Sequence, residues 1–252
     1  MSKWVEGKII KQQQWAKGLF SLWVEAAVAP FIPGQFTQLT LEEGGKLFRP
    51  YSYVNGPDEA LLEFYYTYVE GGKFTPTLAK CQPGERIWVA QRAVGRFVIS
   101  EVPSSAVLWL FATGTGLGVF LSLLKSQTTW EKFERIVLVH SVRFSDELTH
   151  LALIEEWQRQ YATRFYWVPI VTRETSATLK GGPIYSQRMT DLFKNGVLEK
   201  EIALFLTSTT AQVMLCGNPA MVNEMVALLQ ARGLQMNRVR QPGQITIENY
   251  WK

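Results

Sequence analysis

The sequence is poor in the residues that bind metals and form disulfides. Its 252 residues include two cysteines and two histidines. Neither Cys81 nor Cys216 belongs to a Cys-x-x-Cys pair, which argues against a disulfide framework and against a zinc or iron–sulfur site. We therefore expect no metal centre.

Long apolar runs and a secretory signal are absent as well. No stretch approaches the roughly 20 consecutive apolar residues that span a bilayer. Residues 1–10 contain neither the apolar core nor the small-residue cleavage site of a signal peptide. We expect a cytoplasmic protein that does not associate with membranes.

Charge and aromatic content are the least ordinary features. Lys and Arg number 26 against 22 Asp and Glu, which gives a net charge of +4. That density is too low for a typical nucleic-acid-binding protein, although it suits anionic ligands or an acidic partner. Nine Trp, nine Tyr and fourteen Phe can fill a core, and some of them can stack on a planar cofactor.

The first hundred residues have the pattern of a β domain. Short apolar segments alternate with turns rich in glycine and proline, which is typical of a barrel or a sandwich. The expected strands are Val5–Ile10, Leu19–Val24, Phe36–Leu41, Phe48–Val54, Leu62–Val69, Arg86–Ala90 and Arg96–Ile99, with a short helix over Thr75–Lys80.

From about Pro103 the pattern changes to strands that alternate with helices, which predicts a parallel sheet. The expected strands are Val107–Ala112, Ile136–His140, Phe165–Val171, Gln212–Cys216 and Ile245–Trp251, and the expected helices are Val119–Lys125, Glu147–Tyr161, Arg188–Lys194 and Pro219–Ala231. Ligands bind such sheets at the carboxyl ends of the strands. The glycine-rich turn Thr113–Gly118 and the pair Cys216-Gly217 both lie at such ends.

The segment Arg49-Pro50-Tyr51-Ser52-Tyr53 lies at the end of an expected strand. Because side chains alternate along a strand, Arg49 and Tyr51 share one face. The Arg can bind a diphosphate through its fork of donors, and the Tyr offers a flat surface to an aromatic ring. An edge strand with an exposed Arg and core tyrosines is the alternative, which these five residues alone favour.

Five segments in order along the chain together resemble the ferredoxin–NADP reductase family, in particular its bacterial ferredoxin (flavodoxin)–NADP reductases. They are Arg49-Pro-Tyr-Ser52, Gly72-Lys-Phe-Thr-Pro76 with Pro83-Gly-Glu85, Ala112-Thr-Gly-Thr-Gly-Leu-Gly118, Leu215-Cys-Gly-Asn-Pro219 and Glu248-Asn-Tyr-Trp251. Val119 stands where the family usually has proline. The resemblance implies an N-terminal antiparallel Greek-key β-barrel that binds FAD, over residues 1–101. It also implies a C-terminal α/β domain with a parallel sheet that binds NADP(H), over residues 102–252.

The resemblance further implies the residues that bind FAD. Arg49 would bind the diphosphate, Tyr51 would stack on the isoalloxazine ring, and Ser52 would hydrogen-bond near N5. The other implied FAD residues are Pro50, Tyr65, Lys73, Phe74, Thr75, Thr115 and Trp251. Tyr65 is equally compatible with a cross-strand aromatic pair. Tyr250 would cover the second ring face, although the division of roles between the two terminal aromatics stays open.

The implied residues for NADP(H) are Thr113, Gly114, Arg143, Arg173, Arg188, Cys216 and Gly217. Arg143 and Arg173 each follow an expected strand, and Arg188 opens an expected helix. Clustered arginines favour NADPH over NADH because they can bind the 2′-phosphate, whereas Asp146, Glu147 and Glu174 nearby weaken that preference. The implied catalytic residues are Ser52, Cys216 and Tyr250.

The implied activity is electron exchange between NADPH, as hydride, and ferredoxin or flavodoxin, as single electrons, through FAD. We expect a monomer with a basic docking surface for these acidic carriers. The candidates for that surface are Arg92, Arg96, Arg232, Arg238 and Arg240. Two alternatives stay open: a related reductase that serves an oxygenase or reduces free flavin, and a basic β-barrel that binds single-stranded nucleic acid.

Overall fold

The computed structural model of the protein describes residues 3–174 and 184–248. The chain folds into two compact units. The first holds the chain up to Ile99 together with Gly118–Gln127, and the second holds Ser100–Leu117 and the chain from Thr128 onward. The domain boundary expected after residue 101 stays a prediction, because the segment Gly118–Gln127 lies beyond it and yet groups with the first unit.

The first unit is built on six antiparallel strands in the order β4-β3-β6-β1-β2-β5. The strands are β1 Trp4–Ala16, β2 Leu19–Ala26, β3 Phe36–Thr40, β4 Phe48–Ser52, β5 Leu62–Thr67 and β6 Arg86–Ala90. A bridge between Tyr53 and Phe64 joins the end of β4 to β5, and the Val54 N–H donates to the Glu63 carbonyl at 3.0 Å. These hydrogen bonds close the sheet into the expected barrel.

Two helices accompany the barrel: α1 (Thr75–Leu78) and α2 (Leu117–Leu124). From Gly118 onward α2 groups with the barrel, because its Ser122 hydroxyl donates to the Asn55 carbonyl at 2.8 Å and Phe120 packs against Phe97 at 5.8 Å between ring centroids. A Cβ at Gly118 would lie 3.0 Å from the Val54 side chain. The absence of a side chain at Gly118 therefore permits this close packing.

The second unit contains a five-stranded parallel sheet in the order β11-β10-β7-β8-β9. Its strands are β7 Val107–Thr113, β8 Arg135–Val142, β9 Phe165–Val171, β10 Ala211–Cys216 and β11 Ile245–Glu248. The remaining helices are α3 Gln127–Lys132, α4 Leu151–Gln160, α5 Met189–Lys194, α6 Val197–Ile202 and α7 Pro219–Ala231. The strand order reverses direction at β7, so a topological switch point lies between β7 and β10, where sheets of this kind bind ligands.

Most expected elements are confirmed, but one strand is wrong, and the helix expected from Glu147 begins only at Leu151, after a 3-10 turn over Ser145–Glu147. Residues 96–98 form no strand, although Phe97 and Val98 are buried; they lead into a 3-10 turn over Ile99–Glu101. The backbone turns at Gly95, whose φ is +117°, so the apolar side chains are buried without strand pairing. None of the helices within residues 3–174 and 184–248 is long and apolar enough to cross a membrane.

Candidate functional site

Two loops interlock at the carboxyl edge of the parallel sheet. One follows β7 and forms a 3-10 turn over Gly114–Gly116, and the other follows β10 at Gly217. The Asn218 N–H donates to Thr113 Oγ1 at 2.7 Å, and the Asn218 side chain caps α7 by accepting from the Ala220 N–H at 2.8 Å. Thr113 and Asn218 therefore tie the two loops to each other and to the start of a 13-residue helix.

Glycine is required at two positions where these loops touch. A Cβ at Gly116 would lie 2.5 Å from the Cys216 carbonyl oxygen. Gly217 has a φ of +136°, and a Cβ there would collide with Thr113 Oγ1. Residues that have a side chain rarely adopt the positive φ of Gly217, and neither contact leaves room for a methyl group. Gly114, with a φ of +52°, differs because, apart from its chain neighbours, no atom of the described residues lies within 4 Å of the place where its Cβ would be, so these residues leave that side of the turn open.

Sequence reasoning missed His140, which supports this turn from the neighbouring strand. His140 is fully buried in β8, and burial lowers its pKa to about 4. Its Nε2 atom lies 3.2 Å from the Gly114 carbonyl oxygen. Because a carbonyl only accepts, this nitrogen carries the proton and the imidazole is a neutral donor. A single histidine in an apolar strand gives no signal of this contact, which depends on the pairing of β7 with β8.

The structure also adds Glu248 beside the predicted Cys216. The two residues are partners in the register of β10 and β11, at the carboxyl ends of both strands. The Cys216 thiol is fully buried and donates to Glu248 Oε2 over 3.9 Å. The candidate site thus contains a thiol paired with a carboxylate. The terminal motif that contains Glu248 is visible in the sequence, but its contact with Cys216 follows only from the strand register.

The structure brings Arg143 and Arg173 together. The ladder between β8 and β9 continues beyond both strands, and the Arg173 N–H donates to the Arg143 carbonyl at 2.9 Å. Both side chains are exposed. Two of the three nearby carboxylates bind the backbone: Glu147 accepts from the Arg143 N–H at 2.8 Å, and Glu174 accepts from the Ser145 N–H at 3.0 Å. The third, Asp146, is exposed, so the two arginine side chains are presented together with one exposed acid.

Arg188 has a different environment. It is the N-cap residue of α5, is exposed, and forms an ion pair with Glu224 of α7 at 3.4 Å. Any anion that binds Arg188 therefore competes with Glu224. Arg232, a docking candidate, is occupied as well, because it pairs with Glu199 at 2.7 Å and lies 4.0 Å from the Phe193 ring. We withdraw Arg232 from the docking set.

In the first unit, Arg49 and Tyr51 lie two residues apart on β4, as predicted. Arg49 is exposed, and its only hydrogen bond in the described chain goes to the Phe48 carbonyl at 2.8 Å. Tyr51 is partly buried and packs against Tyr66 and Phe74, with ring centroids 6.3 and 6.1 Å away. Burial raises the pKa of Tyr51, with a smaller opposing effect from the Arg49 charge. The pair therefore offers a permanent cation beside a neutral aromatic ring.

The other predicted flavin residues lie on β4, on β5, around α1 and, for Thr115, in the loop after β7. Ser52 and Tyr65 are buried, Pro50 is exposed on β4, and Lys73 is exposed before α1. Phe74 is buried at the start of α1, and Thr75 Oγ1 accepts from the Val69 N–H at 2.9 Å. Thr115 is partly exposed in the loop after β7. The predicted roles of Tyr250 and Trp251 lie outside the described residues.

These features fit both expected cofactors. Arg49 forms no salt bridge with an acidic residue in the described chain, so its guanidinium can donate hydrogen bonds to a diphosphate beside the Tyr51 ring. The Gly114 turn has an open side at a helix start, and two exposed arginines follow the adjacent strands. Within residues 3–174 and 184–248, no group of three His, Cys, Asp or Glu side chains could hold a metal ion.

Comparisons with known proteins agree with this arrangement. Residues 110–227 match the family model of the oxidoreductase NAD-binding domain. The chain is 42% identical to a flavodoxin/ferredoxin–NADP reductase of Escherichia coli and 40% identical to one of Buchnera aphidicola, in each case over the whole of both chains. The solved structure of a ferredoxin NADP+ reductase from Neisseria gonorrhoeae, which has FAD and NADP bound, matches the whole of both chains with a TM-score of 0.90 at 30% identity.

Proposed function

This chain belongs to the flavodoxin/ferredoxin–NADP reductase family, and we propose on that premise that it exchanges electrons between NADPH and ferredoxin or flavodoxin through bound FAD. The structural observation that carries the proposal is the interlocked pair of glycine loops beside Cys216 and Glu248. In this proposal the nucleotide binds against these loops at the switch point of the sheet, and hydride exchange needs no acid–base triad there.

In this proposal Arg49 binds the FAD diphosphate and Tyr51 packs against the ring system, with Ser52 near the hydride-accepting atom. Pro50, Tyr65, Lys73, Phe74, Thr75, Thr115 and Trp251 complete the FAD site. FAD, when bound, exchanges a hydride with NADP(H) and single electrons with the carrier. The Tyr51 phenol stays protonated throughout, because burial raises its pKa, so the ring presents no charge to the flavin.

The remaining proposed residues bind the pyridine nucleotide. Thr113, Gly114 and Gly217 shape the loops against which it lies. Arg143 and Arg173 bind the 2′-phosphate, which is supported by their exposed side chains and by the engagement of Glu147 and Glu174 with backbone N–H groups. Cys216, Ser52 and Tyr250 are the proposed catalytic residues, and Glu248 orients the Cys216 thiol.

The proposed partner is an acidic electron carrier. Arg92, Arg96, Arg238 and Arg240 are exposed and supply positive charge for its docking. We further propose a monomer in the cytoplasm. Cys81 and Cys216 form no disulfide, which suits a reducing compartment.

Purified protein with stoichiometric FAD, supplied separately with ferredoxin and with flavodoxin, tests the proposal. We expect NADPH-dependent reduction of at least one carrier, and we expect added salt to slow it because salt screens the attraction between basic and acidic surfaces. A colourless protein that FAD cannot reconstitute would contradict the flavoprotein assignment. If added salt leaves the rate of carrier reduction unchanged, only the proposed electrostatic docking of the carrier is contradicted.

Opposite substitutions in the ion pair of Arg188 and Glu224 test the phosphate role of Arg188. Arg188→Ala should raise the KM for NADPH and leave that for NADH unchanged, because NADH lacks the 2′-phosphate. Glu224→Gln should lower the KM for NADPH about twofold, since an exposed ion pair of modest strength no longer competes for the guanidinium. Steady-state kinetics with both nucleotides measure this. An equal effect of Glu224→Gln in the Arg188→Ala background would disprove the competition.

A further inference from the structure

The fully buried His140 is held in an arrangement that stability alone does not explain. Its neighbours in the strand register are Ala112 on β7 and Pro169 on β9, in a sheet whose buried positions are mostly apolar. Its Nε2–H donates to Gly114, but its Nδ1 atom has no hydrogen-bond partner among the described residues. A buried polar atom without a partner costs stability, and an aliphatic side chain would avoid that cost.

The hydrogen bond from His140 fixes the orientation of one peptide group, the one between Gly114 and Thr115. The Gly114 carbonyl oxygen accepts from the Leu117 N–H, which closes the turn, and from His140 Nε2 at 3.2 Å. Both lone pairs of that oxygen are therefore used. The Gly114–Thr115 peptide is trans and planar, so its N–H points opposite to its carbonyl. Fixing the carbonyl toward β8 thus directs the Thr115 N–H away from the β8 side of the turn.

The direction of the Thr115 N–H matters because the described residues leave one side of the Gly114–Gly116 turn open. Apart from its chain neighbours, no described atom lies within 4 Å of the position of a Cβ at Gly114, and a residue without a Cβ can leave this conformation easily in the absence of a tether. Thr113 is tied to Asn218 by a hydrogen bond, and Gly116 lies tightly against Cys216. Within the described chain, the hydrogen bonds that hold Gly114 and Thr115 come from His140 and from the Leu117 N–H that closes the turn.

We propose that His140 is a positioning residue for the pyridine nucleotide: its Nε2–H anchors the Gly114 carbonyl and so presents the Thr115 backbone N–H to an acceptor group of NADP(H). The inference rests on the proposed function, and it adds a residue that touches neither nucleotide nor flavin. His140 acts as a neutral donor throughout, so its contribution is geometric. Loss of the donor loosens the loop that meets the nucleotide, whereas the proposed FAD residues on β4, on β5 and around α1 are not part of that loop.

Three substitutions separate the hydrogen bond from the packing. His140→Gln keeps an amide N–H at about the distance of Nε2, whereas the shorter His140→Asn places its amide near Nδ1 and cannot reach Gly114. His140→Leu removes all polar atoms. The matched control is Leu138→Val, which perturbs a fully buried position two residues earlier on the same strand without a link to the loop.

The measurements are the KM for NADPH and kcat with ferricyanide as acceptor, the dissociation constant of NADP+ from flavin difference spectra, and the FAD content. We expect His140→Leu and His140→Asn to raise the KM and the dissociation constant about threefold to tenfold, the effect of one lost hydrogen bond. In both variants kcat and FAD content should stay at the wild-type values. His140→Gln should restore nucleotide affinity, and Leu138→Val should lower the melting temperature without changing the KM.

Equal nucleotide affinity in all four variants and the wild type would overturn the inference, and so would a loss that His140→Gln fails to rescue. If His140→Leu does not fold, the comparison of Gln with Asn decides the question, since both bury an amide. Failure of the wild-type protein to bind FAD or oxidise NADPH would overturn the proposed function instead, so the two failures are distinguishable.

Discussion

Replacing Gly217 with alanine is expected to abolish NADPH-dependent activity and to lower the stability of the second unit by about 3 kcal/mol or more. The added methyl group meets Thr113 Oγ1 and also the Thr113 backbone, with its carbonyl oxygen at 2.8 Å and its nitrogen at 2.9 Å. Rotation of the threonine side chain cannot relieve a clash with its own backbone, so the two loops must separate. Thermal unfolding and the rate of NADPH oxidation measure the effect.

Gly233→Ala is the matched control for this prediction. Gly233 has a φ of +86°, but no atom of the described residues beyond its chain neighbours lies within 4 Å of the place of a Cβ, so alanine there brings only the backbone strain, about 1 kcal/mol. We expect that variant to keep its activity. Equal losses in the two variants would show that the backbone conformation, and not the contact between the loops, explains the requirement for glycine at position 217.

Replacing Arg49 with alanine is expected to weaken FAD binding about 10-fold to 100-fold, the usual range for a lost charge-assisted hydrogen bond. The stability of the apoprotein should hardly change, because Arg49 is exposed and bonds only the Phe48 carbonyl within the described chain. Titration of the apoprotein with FAD, followed by quenching of flavin fluorescence, measures the dissociation constant.

Arg86→Ala provides the control. Arg86 is also exposed on the same barrel, at the start of β6, where it lies 5.7 Å from the Trp88 ring. Its removal should leave the FAD affinity intact. Arg49→Lys should retain only part of the affinity, because an ammonium group cannot form the paired hydrogen bonds of a guanidinium. If Arg86→Ala weakens FAD binding as much as Arg49→Ala does, general electrostatic attraction is at work and Arg49 has no specific role.

The parallel sheet could be predicted from the sequence because strands that are buried on both faces are continuous apolar runs, and helical segments separate them. Phe165–Val171 and Pro219–Ala231 have the predicted bounds, the latter because Asn218 caps the helix and Gly233 follows its end. The same kind of pattern predicts a strand over Arg96–Ile99, where none forms, since an apolar run shows that residues are buried and does not show which neighbour they pair with.

The candidate site could be predicted where its residues are neighbours in one short segment. It could not be predicted where residues far apart in the sequence meet through the pairing of strands. Arg49 and Tyr51 share a strand, so their proximity follows from the sequence alone. The contact between Cys216 and Glu248 joins residues 32 positions apart through the register of β10 and β11. His140 and Gly114 meet in the same way across β8 and β7. Such contacts are properties of the register, which no local pattern encodes.

The grouping of Gly118–Gln127 with the barrel has a consequence for synthesis on the ribosome. The barrel strands end at Ala90, but Asn55, Val54 and Phe97 receive their contacts from α2 only after β7 has been translated. A nascent chain that stops before α2 therefore exposes an apolar patch on an otherwise complete barrel. The order of translation makes the first unit depend on a segment that is made after the second unit has begun to emerge.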